Sequence, residues 1–227
     1  MTYDLLIGQK SYSSWSLRGW LCFAPFDIPV TLHMAEIYGD TFLDTVATFG
    51  GNTTVPAART PDGGLLTDSI AIAWHLAEAF PDRGLLPTDP ILRAEAQSIV
   101  AEMHSGFVDL RANCQVNLRT AWEGFEPSDA VLADCARAEE IWSRALNRSG
   151  GPFLYGAFTL ADAFYAPLAT RFLTYDLPMS ETSRAYARAI TTHPAFLEWR
   201  RDGLRETQEI ARYDKAPLKR IPFPTFD

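Results

Sequence analysis

Two residue pairs in this chain are spaced to hold a small anionic peptide. Val55-Pro56 offers backbone groups beside a proline, and Asp68-Ser69 follows at the head of an apolar helical stretch. A vacant strand edge binds a peptide through its main chain, and a helix start bearing a hydroxyl suits a carboxylate. Asp68, being acidic, suits an ammonium. Upstream, Ser11-Tyr12-Ser13-Ser14-Trp15-Ser16 sets hydroxyls at the mouth of another helix. A serine hydroxyl there is no base near neutral pH, but it can donate a hydrogen bond to a thiolate with a helix N-terminus behind it. The three segments together describe a site for an anionic thiol peptide.

The chemistry such a site offers has limits. A thiol of pKa ~8.5 is only roughly 3% ionised at pH 7, so complete ionisation gains at most about 30-fold. Lower basicity removes much of that gain, with a Brønsted slope of ~0.4–0.5. Larger accelerations come from holding the thiolate against an electrophile. That role falls to the second half of the chain.

The elements that must position these residues follow from pattern. Tyr3 to Ile7 reads as a strand, Ser16 to Phe26 as a helix ended by the prolines near it, Val30 to Ala35 as a strand and Thr41 to Thr48 as a short helix. Val55 to Ala58 and Leu65-Leu66 flank the turn signal Pro61-Asp62-Gly63-Gly64. Ile70, Ala73, Trp74 and Ala77 share one face of a helix starting at Ser69. The order βαβ-ββα predicts a small mixed sheet with helices packed on it. A proline-bearing connector, Phe80 to Pro90, leads to a half that is almost wholly helical. Leu92, Ala96, Ile99, Met103, Phe107, Leu110 and Cys114 predict one long amphipathic helix. A second runs from about Ser128 to Asn147, and Gly150-Gly151-Pro152 breaks it. Thr159 and Asp162 cap a third reciprocally, and His193-Pro194 precedes a short fourth. The tail from Tyr213 reads as extended, with Phe223 and Phe226 docked on the body.

Composition bounds the function. The 227 residues are 47% hydrophobic, enough for a sizeable core, and the formal net charge of -8 argues against nucleic acid. An anionic ligand must therefore be attracted locally. Met1 to Gly8 lacks the basic and long apolar regions of a signal peptide, and no apolar run is long enough to span a membrane. Cys22, Cys114 and Cys135 are odd in number and far apart, which fits a reducing cytoplasm. The four histidines, His33, His75, His104 and His193, show no ligand spacing, so no metal site is expected.

The strand, serine run and helix, then Val55-Pro56, Asp68-Ser69, the helical second half and the Thr159…Asp162 cap together resemble the glutathione transferase superfamily over nearly the whole chain. Ser13-Ser14-Trp15-Ser16-Leu17-Arg18 is similar to the Ser-Ser-Cys-Ser-Trp-Arg segment of the zeta class, the maleylacetoacetate isomerases. The resemblance implies an α/β thioredoxin-like N-terminal domain over residues 1–80, a linker at 81–90, an all-α C-terminal helical domain over 91–212 and an extended tail at 213–227. It implies a homodimer, with neither nucleic acid nor membrane as partner. It makes Ser13 the catalytic hydroxyl on the glutathione sulfur, with Ser14 and Ser16 as rivals. It places Thr54, Val55 and Pro56, with a cis proline, against the cysteinyl part of glutathione, and Asp68 and Ser69 on its γ-glutamyl end. The electrophile pocket is expected between the serine loop and the long helix, from Met103, Phe107, Arg111, Tyr165 and Arg171.

The implied activity is activation of the glutathione thiolate, as co-substrate and without a metal, for attack on a small, largely apolar electrophile. Arg111 or Arg171 would instead favour an acidic one. Alternatives are a glutathione-dependent cis-trans isomerase of a maleylacetoacetate-like diacid, a peroxidase or thiol-transfer enzyme, and a non-catalytic binding protein. Trp15 stands where the zeta class has cysteine, and Thr174 where it has arginine. From Ala35 to Ala58 there is no Lys, Arg or His to meet a glycyl carboxylate. Tyr38, Asn52, Thr54, Lys10 and Arg18 are the substitutes. Thr159 and Asp162 read as structural and Cys22 as core. His104 reads as a partly exposed helical side chain.

Overall fold

Tyr3–Ile7 forms β1, and its nearly unbroken apolar run has a physical reason. The strand is central, and Tyr3, Leu5, Leu6 and Ile7 are all buried. The computed structural model describes residues 2–50 and 53–226, so Asn52 lies outside the described residues. After β1 come α1 (Ser14–Leu21), β2 (Val30–Met34), α2 (Phe42–Gly50), β3 (Ala57–Arg59), β4 (Leu65–Leu66) and α3 (Ser69–Ala79). β2 runs parallel to β1, β3 antiparallel to it, and β4 pairs with β3, giving the order β2-β1-β3-β4. The hairpin turn is closed by the Thr60 N–H on the Gly64 carbonyl, with Gly63 at φ 88°. This is the thioredoxin-like arrangement expected of the first eighty residues.

Helix α1 lies close against the loop that carries Val55-Pro56. A Cβ at Gly19 would sit 2.9 Å from the Pro56 Cβ, so only glycine permits this approach. The serine mouth of α1 and the Val55 backbone are thereby brought side by side.

The second half contains α4 (Pro90–Ser105), α5 (Val108–Asn113), α6 (Asp129–Ser149), α7 (Leu160–Thr174), α8 (Glu181–Thr192) and α9 (Pro194–Gly203). All fifteen residues of α7 are buried, and it packs against α1, α4 and α8 as the axis of the molecule. One continuous apolar cluster joins both halves, from Tyr3 and Leu17 to Trp142 and Trp199.

Three features depart from the sequence expectation. The single helix expected over Leu92–Cys114 is two, because the chain breaks at Gly106-Phe107. Phe107 has φ 55°, and a Cβ at Gly106 would lie 2.8 Å from the Glu102 carbonyl oxygen. Arg111 satisfies the broken end, donating from Nη1 to the carbonyls of His104 and Gly106 at 3.1 and 3.0 Å. Helix α8 was not expected. The second half also holds a two-stranded sheet, in which β5 (Thr120–Glu123) pairs antiparallel with β6 (Lys219–Pro222) of the tail. The tail is pinned, and Phe223 beyond it is buried. Among the described residues no helix is long and apolar enough to cross a membrane.

Candidate active site

The cis peptide bond Val55-Pro56 and the start of α3 face each other across a cleft of about 300 Å3 lined by Thr54, Val55, Pro56, Thr67, Asp68 and Ser69, with Trp15 on the far side. No other described backbone group hydrogen-bonds to Val55, which stands one residue outside β3. Asp68 caps α3: its Oδ1 accepts from the Ile70 N–H at 2.8 Å, leaving Oδ2 turned elsewhere. The Ser69 hydroxyl is 3.5 Å from the same Oδ1. The cleft therefore offers, in sequence, a vacant main-chain edge, a carboxylate and a hydroxyl at a helix N-terminus.

At the mouth of α1 the serines divide their work. Ser13 is the N-cap: it is buried, its Oγ accepts from the Ser16 N–H at 3.2 Å, and its hydroxyl donates to the Ser16 Oγ at 2.7 Å. Ser16 in turn accepts from the Gly8 N–H at 2.8 Å, tying the helix start to the end of β1. Ser14, in the first turn, is half-buried and lines a second cavity. The hydroxyl that meets solvent is thus Ser14, while Ser13 and Ser16 are occupied by the cap.

That second cavity, about 510 Å3, lies between α1, the α4–α5 break and the tail. Tyr12, Ser14, His104, Arg111, Arg171 and Tyr213 line it, and Trp15 is shared with the cleft beside Pro56. Its charge is positive. Arg171 is buried and held by the carbonyls of Cys114 (2.7 Å) and Pro167 (3.0 Å). The Trp15 ring carries the Arg111 guanidinium at 4.8 Å and that of Arg18 at 4.5 Å. Burial, then the neighbouring guanidinium of Arg111, draws Arg171 down to about 10, which leaves it charged at neutral pH.

His104 stands between the two spaces. Its ring meets Trp15 edge-on at 5.4 Å, and its Nε2 lies 3.6 Å from the Asp68 Oδ2. Its Nδ1 is buried without a partner, which places the proton of the neutral ring on Nε2, towards Asp68. Burial lowers the pKa; Asp68 opposes this, and Arg18 and Arg111 add to it. The ring is therefore neutral at pH 7.

Of the residues expected around the electrophile, Arg111 and Arg171 line this cavity. Met103, Phe107 and Tyr165 do not: all three are buried in the core, where Phe107 packs edge-on to Tyr165 at 6.0 Å and Tyr165 to Trp142 at 6.2 Å. The backbone turn at Phe107 breaks the helical face that Met103, Phe107 and Arg111 were read to share, and Tyr165 is enclosed because every residue of α7 is buried. Tyr12, Trp15, His104 and Tyr213 take the places instead. Only tertiary packing could reveal Tyr213, which the tail carries back to sit edge-on to Tyr12 at 5.8 Å. Thr174, at the position of the zeta arginine, is buried; Arg171 one turn earlier supplies a guanidinium. Of the substitutes considered for a glycyl carboxylate, Lys10 is paired with Asp202 at 2.9 Å and Arg18 is buried. Tyr38 is exposed, with Arg212 of the tail 4.3 Å over its ring. Cys22, Cys114 and Cys135 are buried, with thiols pushed up by burial.

A larger open groove of about 830 Å3 beside β2 and α2 shares no residue with either space. Its Asp4–His33 pair at 2.7 Å is solvent-exposed.

Known proteins resemble the chain in sequence and in fold. Residues 12–79 match the family described as Glutathione S-transferase, N-terminal domain. The chain is 34% identical over 154 residues to a probable maleylacetoacetate isomerase of Caenorhabditis elegans, across 63% of this chain and 70% of that protein. It is 33% identical over 103 residues to a probable maleylacetoacetate isomerase 1 of Drosophila melanogaster, across 44% of this chain and 42% of that one. Among solved structures, a glutathione transferase homolog from Burkholderia gl BGR1 with bound glutathione superposes with TM-score 0.69 at 17% identity, over 90% of this chain and 98% of the other. A diazinon-metabolizing glutathione S-transferase of the silkworm Bombyx mori gives 0.68 at 17% identity, over 90% and 98%.

Proposed function

The chain belongs to the glutathione S-transferase superfamily, and from that premise we propose that it activates the thiol of glutathione for attack on a small electrophile carrying an anionic group. The observation that supports this best is the single partition, Trp15, between the peptide cleft and the arginine-lined cavity. A tripeptide seated along Val55 has its γ-glutamyl end at Asp68 and Ser69. The ammonium meets the Asp68 Oδ2 and the carboxylate meets the Ser69 hydroxyl and the N–H groups opening α3. Its sulfur then reaches the mouth of α1, where Ser14 donates a hydrogen bond to the thiolate. The helix dipole and the guanidinium groups nearby lower the thiol pKa by favouring the charged form.

Of the apolar and acidic electrophiles that the sequence leaves open, the cavity lining supports the acidic one. Arg111 and Arg171 beside the reacting sulfur favour a co-substrate with a carboxylate, because two desolvated guanidinium groups lack an acidic partner within the lining. The same observation favours a second reading, a glutathione-dependent cis-trans isomerase of an unsaturated diacid. There the thiolate adds to the double bond, the resulting single bond rotates, and the thiolate leaves, with glutathione regenerated. The two readings separate on one measurement: a transferase accumulates a glutathione conjugate, and an isomerase consumes none.

Glutathione titration by calorimetry tests the site itself. The Asp68→Ala/Ser69→Ala double variant removes one charged and one neutral hydrogen-bonding partner, worth together roughly 2–4 kcal/mol. Affinity is expected to fall by about 30- to 1,000-fold. Absence of binding by the wild type at millimolar glutathione would leave the fold as a scaffold without this ligand.

A further inference from the structure

Arg18 is the least explained charge in the molecule. It lies on α1 one turn beyond Ser14, is 1% exposed, and its guanidinium makes no hydrogen bond to any described group; Nε and Nη1 are fully enclosed. A guanidinium carries five N–H donors, and enclosed ones are almost always paired. Two rings pack against it instead, Trp15 at 4.5 Å and Phe164 at 4.8 Å. Ring contacts offset part of the desolvation of a cation, but an apolar side chain would fill the same space without any. Packing alone therefore does not account for an arginine here.

Its surroundings say what would. Burial, then repulsion from Arg111 and Arg171, draws it down to about 9, with Cys22 and Asp68 pulling the other way. Asp68 is one of the two groups that attract it, and an ammonium seated on Asp68 weakens that attraction. Trp15 links it to both spaces: the ring lines both cavities, is half-buried, and lies against the guanidinium groups of Arg18 at 4.5 Å and Arg111 at 4.8 Å.

We propose that Trp15 is a movable partition and that Arg18 behind it is a concealed binding point for the anionic group of the co-substrate, opened after glutathione has bound. The inference deepens the reading given above and rests on it. Swinging the Trp15 ring aside joins the two cavities and opens a path from Arg18 to a carboxylate held near the sulfur, which guanidinium groups bind in a bidentate geometry. Binding is then ordered, glutathione first.

Two glutathione derivatives that differ only in charge test this: S-carboxymethylglutathione and S-carbamoylmethylglutathione. Glutathione itself is titrated first, by calorimetry, on the whole chain. If wild-type protein binds none, the underlying assignment falls and this inference with it. If it binds glutathione but holds the two derivatives equally, only this inference falls. The expected result is at least a tenfold preference for the carboxymethyl derivative, reduced to less than threefold in Arg18→Met, with the unfolding midpoint of ligand-free Arg18→Met equal to or above that of wild type. A preference that survives in Arg18→Met but disappears in Arg111→Met assigns the anion to the outer arginine and overturns the proposal. Should Arg18→Met fail to fold, Trp15→Ala decides. Removing the partition is expected to raise affinity for the carboxymethyl derivative severalfold while leaving the carbamoylmethyl derivative within twofold, and equal change in both overturns it.

Discussion

Replacing Ser14 by alanine is expected to lower kcat/KM about 100-fold while glutathione affinity stays within about twofold. The magnitude is that of deleting one preorganised donor to a reacting anion, roughly 10²–10³ in rate. Ser14 is the hydroxyl of the run that lines the cavity beside Arg111 and Arg171. Ser13→Ala is expected to act differently. Its Oγ holds the Ser16 N–H and its proton goes to the Ser16 Oγ, so its loss removes a helix cap. That costs about 1 kcal/mol of stability, with turnover reduced only as far as the helix start loosens. Initial rates against a panel of activated alkenes and aryl halides, set beside urea denaturation of both variants, separate the roles. A Ser13→Ala enzyme that keeps full stability but loses 100-fold in rate, beside an active Ser14→Ala enzyme, would return the sulfur to Ser13.

The contrast between these serines shows where reading a sequence stops. That a hydroxyl cluster opens α1 is visible in the residue types. Which hydroxyl turns inward depends on the Gly8 N–H that Ser16 accepts, a contact between segments. Boundaries with a local chemical cause were legible. Asp68 stops the extended chain and starts α3, Ser128 starts α6, and Gly150 at φ 80° ends it. The Gly106-Phe107 break was not, because apolar residues continue at steps of three and four on both sides while the backbone turns between them. Strands β5 and β6 were missed for a related reason. Thr120–Glu123 and Lys219–Pro222 have no alternation to read, and they exist by pairing across almost a hundred residues. Most of the lining of the cleft beside Val55-Pro56 was legible, since Thr54, Val55, Pro56, Asp68 and Ser69 come from two short segments, but Trp15 and Thr67 were not. The cavity was only half legible. Its cations were found, but Tyr12, Trp15, His104 and Tyr213 gather from the loop before α1, α1 itself, α4 and the tail through packing alone.

The largest effect on stability is expected at Asp162, which touches neither cavity. Its carboxyl is fully enclosed at the start of α7. Oδ1 accepts from the Leu154 N–H at 3.0 Å, and Oδ2 accepts from the Thr159 N–H at 2.8 Å and the Thr159 hydroxyl at 3.0 Å. One side chain therefore fastens the loop after α6 to the helix that runs through the whole core. Asp162→Ala leaves these donors buried and unpaired, each costing about 1–3 kcal/mol, so a loss of roughly 4 kcal/mol is expected. Urea denaturation followed by circular dichroism measures it, and a loss below about 1 kcal/mol would mean that water or a backbone shift replaces the carboxylate. The pH dependence gives an independent check. Burial pushes the carboxyl up to about 6, against the pull of the Leu154 and Thr159 donors. A group whose folded pKa is raised binds its proton more tightly when folded. Its contribution is complete below the unfolded value near 4 and is lost as pH rises through 6. The gap in stability between wild type and Asp162→Ala is thus expected to widen from pH 7 to pH 4. A gap that narrows over that range would show that the three donors outweigh desolvation and hold the carboxylate charged.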